Sequence, residues 1–142
     1  MDRTDIQKAI IAAGMEALLP QFAEVIVPAI DLFDSGLRGD AIPIGGSKRY
    51  GNPDLPPDFP WPNDASGQAM EFVLQLSLEE ITPFDEESLL PITGLLSFFL
   101  SGDGEGDSVL GESGAFYFPE VRSLIRRESS IRRYSDLAGR VK

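Results

Sequence analysis

The sequence predicts an α+β fold, mainly β, in a single domain, and three observations predict it. A helical apolar period is confined to the N-terminus. Pro53 to Pro62 reads PDLPPDFPWP, with five prolines in ten residues. Short apolar runs, Glu71 to Leu76, Leu95 to Leu100 and Ala115 to Phe118, are each bounded by turn residues and have strand composition.

The elements follow in chain order. Thr4 and Gln7 have capping-box spacing, and Ile6, Ile10, Ala13 and Ala17 recur at helical intervals, which predicts an amphipathic helix ending near Leu19, before Pro20. From Phe22 to Phe33 the apolar residues are β-rich but interrupted by Pro28, which predicts an edge strand or two short pieces. Ala41 to Tyr50, with Gly45 and Gly46, reads as an irregular loop leading into the proline segment. Each proline there fixes its own φ and pushes its predecessor out of the helical region, so an extended strap without a ladder is expected. Leu55, Phe59 and Trp61 would plug the core while Asp54 and Asp58 face water. Asn63, Asp64, Ser66 and Gly67 make the turn that leaves the strap. Ser77 to Pro83 fits a short helical turn, and LLSFFL, apolar on both faces, suits a central strand. Ser101 to Gly114 is a glycine-rich acidic loop, and Glu120 to Arg127 is expected to be helical. The expected organisation is one domain over 1–142: an N-terminal helix at 1–20, a β-rich body at 25–120 and a basic segment at 121–142.

Composition limits the chemistry. The chain has no cysteine and no histidine, which excludes thiolate nucleophiles, cysteine or histidine zinc sites and histidine-based triads. Carboxylates, Lys, Tyr, Ser and Thr remain, so catalysis is disfavoured rather than forbidden. No cofactor is expected. The formal net charge is −11, unevenly spread: residues 1–121 hold 5 basic and 21 acidic side chains, residues 122–142 hold 7 and 2. An acidic body repels nucleic acid and anionic lipid, so neither is an expected partner and a basic protein surface is. With no long apolar run and no basic leader, the expected location is cytoplasmic.

The order of motifs resembles a known family. Ile44-Gly-Gly-Ser-Lys48 runs into Gly51-Asn-Pro-Asp-Leu-Pro-Pro57 and Trp61-Pro62, followed by Phe72-Val-Leu-Gln-Leu76, Leu90-Pro91 and Gly94-Leu-Leu-Ser-Phe-Phe99. Over residues 25–120 this is similar to the YwqG-like family of uncharacterised bacterial proteins. The resemblance implies an antiparallel β roll with a peripheral N-terminal helix, and it carries over no catalytic residue. Two departures stand out: Arg49-Tyr50-Gly51 replaces a glycine pair, and family members are usually longer after the position of Phe118. A shortened sheet would expose an edge, to be closed by the C-terminal segment or by a second copy in a homodimer.

Candidate ligand-binding residues are Ser47, Lys48, Arg49 and Trp61. Trp61 with Phe59 suits an aromatic platform or a core plug, and a fixed apolar strap favours the plug. Ser47-Lys48 fails the phosphate-loop spacing, because Ser47 separates Gly46 from Lys48 and the position five before Gly46, 41, is Ala. An anion nest from the Gly45 and Gly46 amides with Lys48 and Arg49 is the weaker alternative to a structural turn. Asp103, Glu105 and Asp107 resemble half a calcium loop, but Ser108 and Gly114 occupy the positions that require Gly and Glu. Asp85-Glu86-Glu87 reads as a solvated loop. The expected function is a non-catalytic acidic binding protein acting on another protein, with an antitoxin-like or immunity-like role as one version. The alternative is a small-molecule binder or hydrolase with a pocket between strap and sheet.

Overall fold

The computed structural model describes residues 3–25, 27, 29–101 and 112–129. The chain divides into two compact units, Met1–Ile30 and Asp31–Lys142. Among the described residues strand outweighs α-helix, all strand pairs are antiparallel, and no sheet closes into a barrel.

The N-terminal unit is helical but broken. Helix α1 spans Arg3–Ala12, a 3-10 turn spans Glu16–Leu18, and α2 spans Leu19–Val25. The single helix expected to run to Leu19 stops early because Gly14 takes φ +73°. Its amide donates to the Ile11 carbonyl at 2.9 Å and the Met15 amide to the Ile10 carbonyl at 3.1 Å, a Schellman ending that satisfies the last carbonyls of α1. Pro20 then falls in the first turn of α2, where no amide partner is lost. The strand expected from Phe22 does not form: Phe22–Val25 complete α2, and the described residues from 27 to 33 hold no strand. Leu, Gln, Ala and Glu in LPQFAEV are strong helix formers and outweigh one β-branched residue. The Arg3 guanidinium donates to the Ala23 carbonyl at 3.0 Å, tying α1 to α2.

The second unit carries two sheets. The larger consists of β1 (Lys48–Arg49), β3 (Glu71–Ser77), β4 (Leu95–Leu100) and β5 (Ser113–Phe118) in the order β1-β3-β4-β5; the smaller pairs β2 (Asp54–Leu55) with β6 (Ile125–Arg126). LLSFFL is central, flanked by β3 and β5. The register between β3 and β4 shifts between Phe72 and Leu74, whereas β4 and β5 pair without interruption from Leu95 opposite Phe118 to Leu100 opposite Ser113. Between β3 and β4, α3 (Leu78–Ile81) buries Leu78 and Ile81 and leads into a 3-10 turn at Thr82–Phe84.

The core lies on one face of the larger sheet. Leu55, Met70, Phe72, Leu95, Phe99, Phe118 and Leu124 are buried there, with Phe59, Trp61, Phe116 and Val121 packed against them. Edge-to-face ring pairs set its geometry: Phe99 meets Trp61 at 5.6 Å, Phe72 at 5.6 Å and Phe116 at 5.8 Å, and Phe59 meets Phe118 at 5.0 Å. Leu55, Phe59 and Trp61 thus pin the strap to the sheet, and Asp58 is exposed.

Two expectations for the strap and what pairs with it are corrected. Asp54 is fully buried, and Asp54–Leu55 form a short ladder with Arg126 and Ile125. The helix expected from Glu120 to Arg127 is instead a 3-10 turn at Val121–Ser123 followed by β6. Both outcomes have one cause: Arg126 reaches the Asp54 carboxylate only if the chain after Ser123 is extended beside the strap. Of the loop expected from Ser101 to Gly114, residues 102–111 lie outside the described residues, Asp103, Glu105 and Asp107 among them, and Ser113 and Gly114 belong to β5 instead.

Candidate interaction surface

The expected ligand residue Lys48 is held in a buried polar knot centred on Asp54. One carboxylate oxygen of Asp54 accepts from Lys48 Nζ at 3.1 Å and Arg126 Nε at 3.0 Å. The other accepts from the Gly45 amide at 2.9 Å, Gln75 Nε2 at 2.8 Å and Arg126 Nη2 at 3.4 Å. Gln75 completes the knot by accepting from the Asp54 amide at 2.9 Å and donating to the Gly46 carbonyl at 2.8 Å. Arg126 also donates to the Ile42 carbonyl at 2.8 Å. The 42–46 loop, the strap, β3 and β6 therefore meet at one carboxylate.

The charges respond to this burial. Desolvation opposes the Asp54 anion, but the Arg126 hydrogen bonds, the Lys48 charge, Gln75 and the Gly45 amide outweigh it and hold the carboxyl below its ordinary value. Burial pulls Lys48 down to about 8 against the opposing attraction of Asp54, with the Arg126 charge adding to the fall. Two cations face one buried anion, and Arg126 also reaches the exposed Asp40 carboxylate at 3.5 Å, so within the buried part Lys48 is the surplus charge.

The remaining expected residues are also engaged. Ser47 is buried and its Oγ accepts from the Ser77 amide at 2.9 Å. Arg49 turns to the other side of the strand and donates to Asp34 at 2.8 Å, beside a two-pronged Arg38–Asp34 pair at 2.8 and 3.0 Å. The Arg38 hydrogen bonds and the Gly36 amide hold the Asp34 carboxyl well below the usual carboxylate range. Trp61 donates from Nε1 to the Met70 carbonyl at 2.9 Å, and the Arg127 guanidinium lies 6.0 Å from its ring. These contacts do not join it to the Ser47–Arg49 group. The two amides of the supposed anion nest are spent on the protein itself, Gly45 on Asp54 and Gly46 on the Pro43 carbonyl at 3.0 Å. Among the described residues no group of three or more acidic side chains is placed to hold a metal ion, and no helix is long and apolar enough to cross a membrane.

Sequence reasoning missed Asp54, Gln75 and Arg126. Gln75 had left a signal, as the one polar residue inside the FVLQL run. The basic charge of the segment after residue 121 against an acidic body was the signal for Arg126, but 72 residues separate it from Asp54 and no local pattern names that carboxylate.

The outer surface offers a different kind of site in the stretch after α3. Phe84, Leu89 and Ile92 are 64%, 76% and 70% exposed, and Leu90 joins them among the exposed apolar residues. Asp85, Glu86 and Glu87 interrupt them in sequence. The loop is fixed by its own hydrogen bonds: the Ser88 amide donates to the Asp85 carbonyl at 3.0 Å and the Leu90 amide to the Asp85 carboxylate at 2.8 Å. Thr82 Oγ1 lies 2.7 Å from the Leu78 carbonyl and 3.1 Å from that of Ile92, and Tyr117 donates to the Thr93 carbonyl at 3.0 Å. Single exposed apolar residues need no explanation, but four within nine residues on a loop fixed by its own hydrogen bonds make this stretch a candidate contact surface.

A family model described as a domain of unknown function, DUF1963, matches residues 47–134, more than half of the chain. The chain belongs to the DUF1963 family. No curated protein matches it. The DUF1963 match begins at Ser47 and takes in Lys48, Asp54, Gln75 and Arg126 as well as the 84–92 loop. Asp34 and Gly45, which bind Arg49 and Asp54, precede it.

Proposed function

We propose that this DUF1963 chain is a non-catalytic, acidic protein-binding module, a YwqG-like protein of the bacterial cytoplasm, and that the 84–92 loop is its binding surface. The observation that carries the reading is the exposure of Phe84, Leu89 and Ile92 around Asp85-Glu86-Glu87 on a loop fixed from within. Apolar anchors interleaved in sequence with acids match a partner with apolar and basic groups together, and a chain of net charge −11 attracts such a partner from a distance. The buried cations have protein partners, which supports a structural role for them. An antitoxin-like or immunity-like role, in which the acidic face occludes a basic protein, is the specific version we favour.

The test immobilises the chain and challenges it with a bacterial lysate across a salt series, beside Phe84→Ser with Ile92→Ser and Glu86→Lys with Glu87→Lys. The reading expects one basic protein whose capture falls with salt and is lost in both double variants. Capture that neither variant nor salt reduces refutes it.

A further inference from the structure

The two edges of the larger sheet are built differently. β1 is two residues long and both are basic, with Lys48 buried on Asp54 and Arg49 paired with Asp34. Tyr50 and Gly51 then take φ +55° and +76°, which turns the chain away. A short, charged, sharply ended strand is how natural sheets block an edge.

β5 has none of these devices. Its six residues, SGAFYF, carry no charge and no proline, and its register with β4 is unbroken, so no bulge twists it aside. Among the described residues, no strand pairs with its outer side. Antiparallel pairing with β4 uses about half of its backbone N–H and C=O groups and leaves the alternate ones facing outward. Phe116 and Phe118 are clamped by Phe59 at 5.2 and 5.0 Å, so the strand is already rigid.

We propose that β5 is a homodimer edge: the β5 of a second copy pairs with it antiparallel about a two-fold axis, joining two four-stranded sheets into one of eight strands. Charge selects the occupant. Two chains of net charge −11 repel, yet Ser113 to Phe118 is neutral and the nearest acids, Glu112 and Glu120, lie outside it, so this is a stretch where two copies can meet without placing like charges opposite each other. A basic segment finds no acid within the strand to reward it. Among the described residues the larger sheet has one open edge, which also explains closure: once two β5 strands pair, β1 offers that sheet no further site and its growth stops at two copies. Six paired residues per copy bury less than the roughly 1,200 Å² of a standard stable interface, so the dimer depends on protein concentration.

The experiment measures molar mass by sedimentation equilibrium over a wide range of protein concentration, at low and high salt. It compares the unaltered chain with Ala115→Lys and Ala115→Thr. Ala115 is exposed and lies away from the core face, so neither variant disturbs packing. The unaltered chain and Ala115→Thr should rise from the mass of one chain toward two, more readily at high salt, where self-repulsion is screened. Ala115→Lys should stay at one while keeping its melting temperature. Hydrogen exchange on the unaltered chain supplies a measure free of substitution, with amides in 113–118 gaining protection as concentration rises. A mass of one chain at every concentration, a dimer that Ala115→Lys leaves intact, or protection that appears elsewhere overturns the proposal. Its fate is separable from that of the 84–92 surface, because salt strengthens this contact and weakens that one.

Discussion

Replacing Asp54 by Ala tests whether the knot around it is structural. The substitution removes the buried anion between Lys48 and Arg126, leaving Arg126 only the exposed Asp40 carboxylate at 3.5 Å, and it strands the Gly45 amide and one of the two Gln75 Nε2 hydrogens, the other still donating to the Gly46 carbonyl. Breaking a buried ion pair by deleting one partner costs about 3–5 kcal/mol, and an unsatisfied buried donor about 1–3 kcal/mol. Lys48 limits the loss by giving up its proton, which its folded value of about 8 makes easy. We expect a net destabilisation of about 4 kcal/mol, most of the stability of a marginal domain, and a fall in melting temperature of roughly 15 °C. Lys48→Met should behave oppositely: it removes the surplus buried cation and leaves Asp54 neutralised by Arg126, so stability should change by less than about 1 kcal/mol or rise. Urea denaturation of the two variants and the double variant measures the coupling, and Lys48→Met should lessen the cost of Asp54→Ala. Equal costs for the two single variants, or a cost below about 1 kcal/mol for Asp54→Ala, would refute the charge accounting.

Three further outcomes are expected. Lys48 loses its proton near pH 8 when folded but near 10.5 when unfolded, so between these values the unfolded chain binds more protons and stability rises with pH, by up to about 3 kcal/mol; urea titrations should show the rise in the unaltered chain and not in Lys48→Met. Gly94→Ala should cost about 3 kcal/mol, because φ is +110° there and the added Cβ would lie 2.5 Å from the Tyr117 ring and 2.9 Å from the Phe118 carbonyl; thermal denaturation checks it. Phe84→Ser and Ile92→Ser should each leave stability within about 0.5 kcal/mol, since both side chains are mostly exposed, and a larger loss would mean that they serve the fold.

The strands were legible where composition and spacing agreed. FVLQL, LLSFFL and AFYF became β3, β4 and β5 because each run is apolar enough to face a core and short enough to be ended by its flanking turns. The strap was legible through its prolines, and Leu55, Phe59 and Trp61 went where large apolar side chains on a fixed backbone must go. Local signals also contained the break at Gly14, which the apolar period of the first helix concealed. Asp54 was misread because an aspartate among prolines is normally solvated, and its burial is made tolerable by the distant Arg126 together with Lys48, Gln75 and the Gly45 amide. That pairing also sets the extended course of Ile125–Arg126, so the two errors are one. On the surface, Asp85-Glu86-Glu87 read as a solvated loop, and the exposure of Phe84, Leu89 and Ile92 beside it depends on α3 burying Leu78 and Ile81 inward, which no local pattern states.

Hydrogen exchange of the chain with and without the basic protein that the lysate experiment is expected to yield tests the central claim most directly. Protection should rise in the amides from Asp85 to Thr93 and leave Gly45 to Arg49 and Trp61 as they are. New protection confined to Gly45–Arg49 and Trp61, with the 85–93 loop unaffected, would contradict the account and return the function to the strap.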